Sequence, residues 1–245
     1  MNSKFVTAEW PLATIINTVT TTRAGGVSLP PFDQLNLAGH VGDNLEHVLS
    51  NRQHIAHVLN LPAEPAWLQQ VHGNHVVKAR CNTTASPEAD ASFTVERGVV
   101  CAVMTADCLP VVFSDSRGHC IGVAHAGWKG LLNGVLQHTI QHMSEHVRPE
   151  YAWLGPAIGP QAFEVGIDVY QAFVDQDSQF QSAFAAINSS KWHFDLYHAA
   201  DHILDTAGIK HIYGGGLCTY SDKEQFYSYR RDGVTGRMAT LVWKS

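Results

Sequence analysis

Cys108, His72 and His125 are the residues of this sequence whose types can do chemistry together. A thiolate binds metal or attacks carbon, and imidazole serves as ligand or base. Cys108 follows Asp107 in MTADCLPVVF, at the mouth of an apolar strand. His125 ends the strand that returns after a turn at Asp115-Ser116-Arg117-Gly118, so the hairpin can bring it close to Cys108. His72 follows Gln69-Gln70-Val71 and precedes Gly73, at a turn between strands. Three ligands from three turns, none in the CxxC style of a structural site, leave a fourth coordination position open, as a catalytic zinc requires. The separations match no short metal motif, so a buried structural cysteine with two unrelated histidines stays open at this point.

The elements that must position these residues follow from periodicity. Residues 12–22 are β-branched and read as a strand, and 22–44 as a long loop rich in Gly, Pro and Asn. Arg23 opens that loop. Residues 44–59 carry apolar residues at helical spacing. Short strands are expected at 66–70, 75–79, 91–95, 99–105, 110–114 and 120–125, then a helix at 129–146. A strand at 151–158, helices at 168–186 and 196–208, and strands at 209–213, 217–220, 226–230 and 238–243 complete the chain. Gly214-Gly215-Gly216 lacks the Lys and Ser/Thr of a P-loop and reads as a turn. His54 with His57, and His138, His142 and His146 at steps of four, have metal-like spacings but fall on expected exposed helix sides. The expected fold class is α/β, one domain over 1–245 with mixed β-sheets flanked by helices.

Composition narrows the function classes. The 245 residues are 45% hydrophobic and only 16% charged, so much of the chain should be buried. With net charge −6 and no basic stripe, nucleic acid is not an expected partner. No apolar run approaches the length of a spanning helix, and the N-terminal stretch has no signal-peptide layout, so a cytoplasmic protein without a membrane partner is expected. Five cysteines at irregular spacing argue against a disulfide framework.

The segments TRAGGVS, LNLAGHVGDN, LQQVHG, ADAS, MTADCLPVVF, HAGWKG, WLGPAIGPQAFEVG and FYSYRRDGVTGRMA, spread from about residue 20 to residue 243, together resemble the YfiH family. It is also called the laccase-domain or multi-copper polyphenol oxidase family, and more recently a purine nucleoside phosphorylase family. The resemblance implies that His72, Cys108 and His125 bind one catalytic zinc. It also implies an α/β fold shared distantly with bacterial toxin deamidases, the cysteine-hydrolase fold. The implied activities are phosphorolysis of adenosine, inosine, guanosine and methylthioadenosine, and deamination of adenosine. Two departures stand out: Lys129 follows the Trp where the family allows Arg or Lys, and the triple glycine replaces a stretch that often carries an acidic residue. Neither touches the ligands.

Purine nucleosides and phosphate are then the expected partners, with Arg23, Asn36, Arg230 and Arg231 as the candidate substrate-binding residues. An ion pair of Arg230 or Arg231 with Asp232 or Asp222, and of Arg23 with Asp33 or Asp43, is the structural alternative. A second class is a cysteine amidohydrolase, with Cys108 as nucleophile, His125 as base and Asp107 as orienter, editing peptidoglycan precursors. Copper oxidation is argued against, because none of the 15 histidines forms the His-x-His pair that feeds a multicopper cluster. A metal-stabilised binding module is the non-enzymatic rival, and the open coordination position argues against it.

Overall fold

The computed structural model describes residues 5–81 and 86–244. In chain order the strands and helices are β1 (Phe5–Thr7), β2 (Asn17–Thr21), α1 (Leu45–Val58), β3 (Val76–Lys78), β4 (Ala91–Thr94), β5 (Val100–Thr105), β6 (Leu109–Ser114), β7 (Ile121–Ala126), α2 (Trp128–Leu132), α3 (Val135–Ser144), β8 (Tyr151–Leu154), β9 (Glu164–Gly166), α4 (Ile167–Gln176), β10 (Phe184–Asn188), β11 (Lys191–Phe194), α5 (Leu196–Thr206), β12 (His211–Gly214), α6 (Tyr229–Asp232) and β13 (Met238–Trp243). The described residues form three sheets: an antiparallel β1-β2-β13-β5, a mixed β12-β8-β6-β7-β4-β3, and a small antiparallel β10-β11-β9.

The two large sheets pack face to face. Cys101, Val103 and Val242 of the first meet Val112, Ile121, Val123 and Trp153 of the second. Ile55 of α1 covers the outer face of the first sheet beside Ala102 and Leu241. Helices α3 and α5 cover the outer face of the second, where Leu136, Ile140 and Ile203 meet Val111, Phe113 and Ala124. This layering explains why β5, β6, β7 and β13 are buried at every position and read as continuous apolar runs. The expected α/β class with mixed sheets and flanking helices is what the chain forms.

Several boundaries differ from expectation, each for a local reason. The helix expected at 129–146 is two helices, because Gly134 adopts a left-handed φ of 83°. The helix expected at 168–186 ends at Gln176. The Asp177 carboxylate then accepts from Gln179 N and opens a 3₁₀ turn, Ser178–Ala183, after which Phe184 starts β10 and stacks on Phe194 at 4.3 Å. Residues 66–70 form isolated bridges at Ala66 and Gln69 rather than a strand. Residues 12–16 are a turn preceding β2, and 226–230 contains the start of α6, capped by Ser228 Oγ. Residues 217–220 hold a single bridge, Ala157 to Cys218. The triple glycine is a turn, with φ of 80°, 82° and 77°.

Candidate metal centre and active site

The β6–β7 register places Pro110 opposite His125 and Leu109 opposite Ala126, so Cys108 and His125 emerge together at one end of the sheet. The turn at the far end of this hairpin is tied by the Asp115 carboxylate, which accepts from Arg117 N and Cys120 N. His72 arrives from the loop before β3. One ligand atom from each of His72, Cys108 and His125 lies within 4.8 Å of the others. Cys108 Sγ is 3.8 Å from His72 Nε2, and the two imidazole rings meet edge to face at 4.7 Å. Gly127 stands opposite Cys108, where a Cβ would lie 2.8 Å from Sγ and 3.3 Å from His72 Cδ2. The soft thiolate with two imidazoles suits zinc, and the Sγ–Nε2 separation fits ligand bonds of about 2.0–2.3 Å.

Asp90 organises this group, although nothing in its sequence spacing marks it as part of a site. Its buried carboxylate accepts from His125 Nδ1 at 2.8 Å, and from the backbone N–H groups of Val71, His72 and Gly73 at 3.2, 2.9 and 2.7 Å. Its backbone carbonyl accepts from His125 N at 2.7 Å. The three loop amides hold His72 at a φ of 61°, a conformation that side chains other than glycine seldom adopt without such support. With Nδ1 directed at Asp90, Nε2 of His125 is the ring nitrogen left to face a ligand. A lone acid in ADAS at the start of a fully buried strand was the available signal.

The role expected of Asp107 as orienter of His125 is corrected by this geometry. Asp107 Oδ1 accepts from Thr219 Oγ1 at 2.7 Å and Oδ2 from Arg230 N at 2.6 Å. These bonds hold Asp107 itself at a φ of 94° and so fix the backbone that presents Cys108.

Charges at the centre are strongly coupled. Burial pushes the Cys108 thiol up, but the His125 charge and hydrogen bonds from both histidines overcome it, leaving the thiol at about 6. Burial lowers His125, yet the Cys108 thiolate and the Asp90 hydrogen bond raise it to about 9. Burial also works against ionised Asp90, and His125 with the backbone donors nonetheless holds it below the usual carboxylate range. These directions favour a thiolate–imidazolium pair backed by a carboxylate in the absence of metal.

The three residues lie at the wall of a cavity of about 670 Å³. Met104, Ile158, Phe163 and Leu196 give it an apolar lining, Trp128 and Tyr229 aromatic faces, and Lys129, Arg230 and Arg237 a cationic side, with His40 beside them. Burial lowers the pKa of His40, and the charges of Arg237 and Arg52 lower it further.

Of the expected substrate-binding residues, only Arg230 lines this cavity; its guanidinium sits over the Phe163 ring at 4.9 Å and donates to Glu164 O. Arg23 instead ties the long loop down. It donates to Asp33 O, Asp33 Oδ2 and Lys223 O, and lies over Tyr227 at 5.0 Å. Asn36 is fully buried, bonded to Ala38, Asp43 and Arg237 N. Arg231 is engaged with the carbonyls of Thr219, Tyr220 and Phe226 and bidentately with Asp232. Their places follow from contacts made across the chain, which a motif does not display. His138, His142 and His146 are exposed, as expected for decoys, and His57 is exposed with His54 half-buried.

Comparison with known proteins shows the family of the chain. The family model described as multi-copper polyphenol oxidoreductase laccase matches residues 17–245. The chain belongs to this family. Proteins named purine nucleoside phosphorylase YfiH from Shigella flexneri and Escherichia coli K12 are each 47% identical to it over 241 residues, covering 98% of this chain and 99% of theirs. A crystal structure of a Neisseria meningitidis protein superposes with a TM-score of 0.94 at 47% identity, covering 99% of this chain and 100% of that one. YlmD from Geobacillus stearothermophilus superposes at 0.90 with 30% identity, covering 99% of this chain and 96% of its own. Relatives so named support a purine nucleoside phosphorylase-like enzyme. No helix among the described residues is long and apolar enough to cross a membrane.

Proposed function

We propose that this protein is a zinc-dependent purine nucleoside phosphorylase that also deaminates adenosine, with His72, Cys108 and His125 as the metal ligands. The observation that carries the reading is the convergence of these three side chains on one wall of a cavity whose other walls are aromatic and cationic. The absence of any His-x-His pair favours zinc over a copper cluster. When bound, zinc supplies Lewis acidity, enough to generate hydroxide from water near neutral pH.

In phosphorolysis a phosphate oxygen forms a bond to C1′ of the ribose as the C1′–N9 bond breaks. The electron pair leaves with the purine, which takes up a proton. The protein contributes most by positioning, because an anion must be held beside a sugar that becomes cationic. Trp128 and Tyr229 offer faces on which a purine can stack, and the cationic side can hold phosphate. Asp90 fixes the His125 ring, and the apolar lining excludes water from the sugar.

Metal analysis of the purified protein, with product detection from adenosine in the presence and absence of phosphate, tests the reading. Ribose 1-phosphate and adenine are expected only with phosphate, and inosine without it. Cys108→Ala should lose metal and both activities together. A variant that keeps stoichiometric zinc would show the ligand assignment to be wrong.

The Asp90–His125–Cys108 alignment favours one second reading, a cysteine amidohydrolase acting on peptidoglycan precursors, with Asp90 in the orienting place. A nucleophile needs a free thiolate. Amide cleavage that rises on zinc removal would select that reading, and loss of all turnover on zinc removal would reject it.

A further inference from the structure

Two polar groups beside the candidate ligands lack a full set of partners within the protein. Thr105 ends β5 and lines the cavity. It is 1% exposed, and its hydroxyl has no hydrogen-bond partner among the described residues. Buried hydroxyls are nearly always hydrogen-bonded, so a hydroxyl left unsatisfied at a cavity wall points to something that enters the cavity.

Arg237 is the second group. Met238 pairs with Thr105 across β13 and β5, which sets Arg237 immediately beyond Thr105 at the same end of the sheet. Its Nη1 donates to Thr235 O and Gly236 O at 2.8 and 3.0 Å. Its Nε and Nη2 have no hydrogen-bond acceptor, and it forms no ion pair, among the described residues. The residue is fixed in place: Asn36 Oδ1 accepts its backbone N–H at 3.0 Å, and its carbonyl accepts from Leu37 N at 3.4 Å. A half-buried guanidinium over the Tyr229 ring at 5.8 Å, with two donors unused, lines the same cavity as an unsatisfied hydroxyl and calls for an anion with several oxygens.

We propose that Arg237 and Thr105 form the subsite for the anionic co-substrate, inorganic phosphate. The guanidinium fork grips phosphate oxygens through Nε and Nη2, and the Thr105 hydroxyl donates to another. This assignment rests on the phosphorolysis reading and replaces Arg23, whose donors bind the loop. It also gives Asn36 an indirect part, as the side chain that holds the backbone of Arg237.

The test uses the zinc-loaded full-length protein with Thr105→Val and Arg237→Lys. Calorimetric titration with sodium phosphate gives Kd, and phosphorolysis at saturating nucleoside gives the KM for phosphate. Thr105→Val is expected to raise both by about tenfold, the loss of one hydrogen bond to a charged group. Arg237→Lys should raise them further, because a point charge cannot reproduce the fork. The KM for nucleoside, zinc content and melting temperature should stay at wild-type values in Thr105→Val. Unchanged phosphate affinity in Thr105→Val and Arg237→Lys overturns the subsite, as does a wild-type protein that binds no phosphate. If Arg237→Lys fails to fold, Thr105→Val decides alone, since valine nearly matches the shape of threonine. If wild type binds phosphate through these residues but yields no ribose 1-phosphate, the subsite stands and phosphorolysis falls.

Discussion

Nδ1 of His125 lies 2.8 Å from Oδ1 of Asp90, and the same carboxylate gathers the amides of Val71, His72 and Gly73. One buried side chain thus sets the ring orientation of one candidate ligand and the loop conformation of another. Asp90→Asn keeps the size but turns an NH₂ toward groups that themselves donate. Zinc affinity should fall about 10–100-fold, measured by competition with a chromophoric chelator. Wild-type affinity in this variant would mean that the two histidines are held by other contacts.

The metal-free centre should be recognisable by its pH profile. The Cys108 thiol is lowered to about 6, so its thiolate fraction, and with it the rate of alkylation, reaches half its plateau near that pH. Cys81 is exposed, but desolvation and Glu96 raise its pKa, so it should react only at more alkaline pH. Mapping iodoacetamide adducts by mass spectrometry between pH 5 and 9 (about the range in which thiolates form) reads both sites. Zinc should protect Cys108 alone. An alkylation midpoint for Cys108 at or above that of Cys81 would contradict the coupling to His125.

Gly127 provides a steric test that leaves every ligand in place. Its backbone, at φ −72° and ψ 169°, tolerates any residue, yet a Cβ would come within 2.8 Å of Cys108 Sγ. Gly127→Ala should therefore weaken zinc binding by about tenfold or more, since a displaced sulfur loses a whole ligand bond. Thermal unfolding of the metal-free protein should move much less. If zinc titration of the variant matches wild type, the thiol is not a ligand in the arrangement described.

Arg23 should behave as a structural residue. Its bonds to Asp33 and Lys223 and its contact with Tyr227 are partly exposed, so Arg23→Ala should cost about 1–2 kcal/mol and lower Tm by a few degrees. The KM for phosphate should stay within about twofold of wild type. A rise of the size expected for Thr105→Val, with an unchanged Tm, would return Arg23 to the anion site.

Strands, flanking helices and the Cys108–His125 pairing were legible in the residues alone. Continuous apolar runs at β5, β6, β7 and β13 can be satisfied only by strands covered on both faces. The hairpin between β6 and β7 links Cys108 to His125 through local pairing, which periodicity reveals. His72 was reachable through the motif resemblance, because nothing in its spacing from Cys108 encodes contact. Which polar residues serve this centre follows from packing between distant segments. Asp90 reaches His72 and His125 from outside their own segments, and Arg237 shares a cavity with Thr105 because β13 pairs with β5 from the far end of the chain. The same holds for exclusion: Arg23, Asn36 and Arg231 sit in motifs as prominent as that of Arg237, but carbonyls and carboxylates of the chain take up their hydrogen bonds. A motif records residue types, whereas the direction of a side chain depends on whatever packs against it.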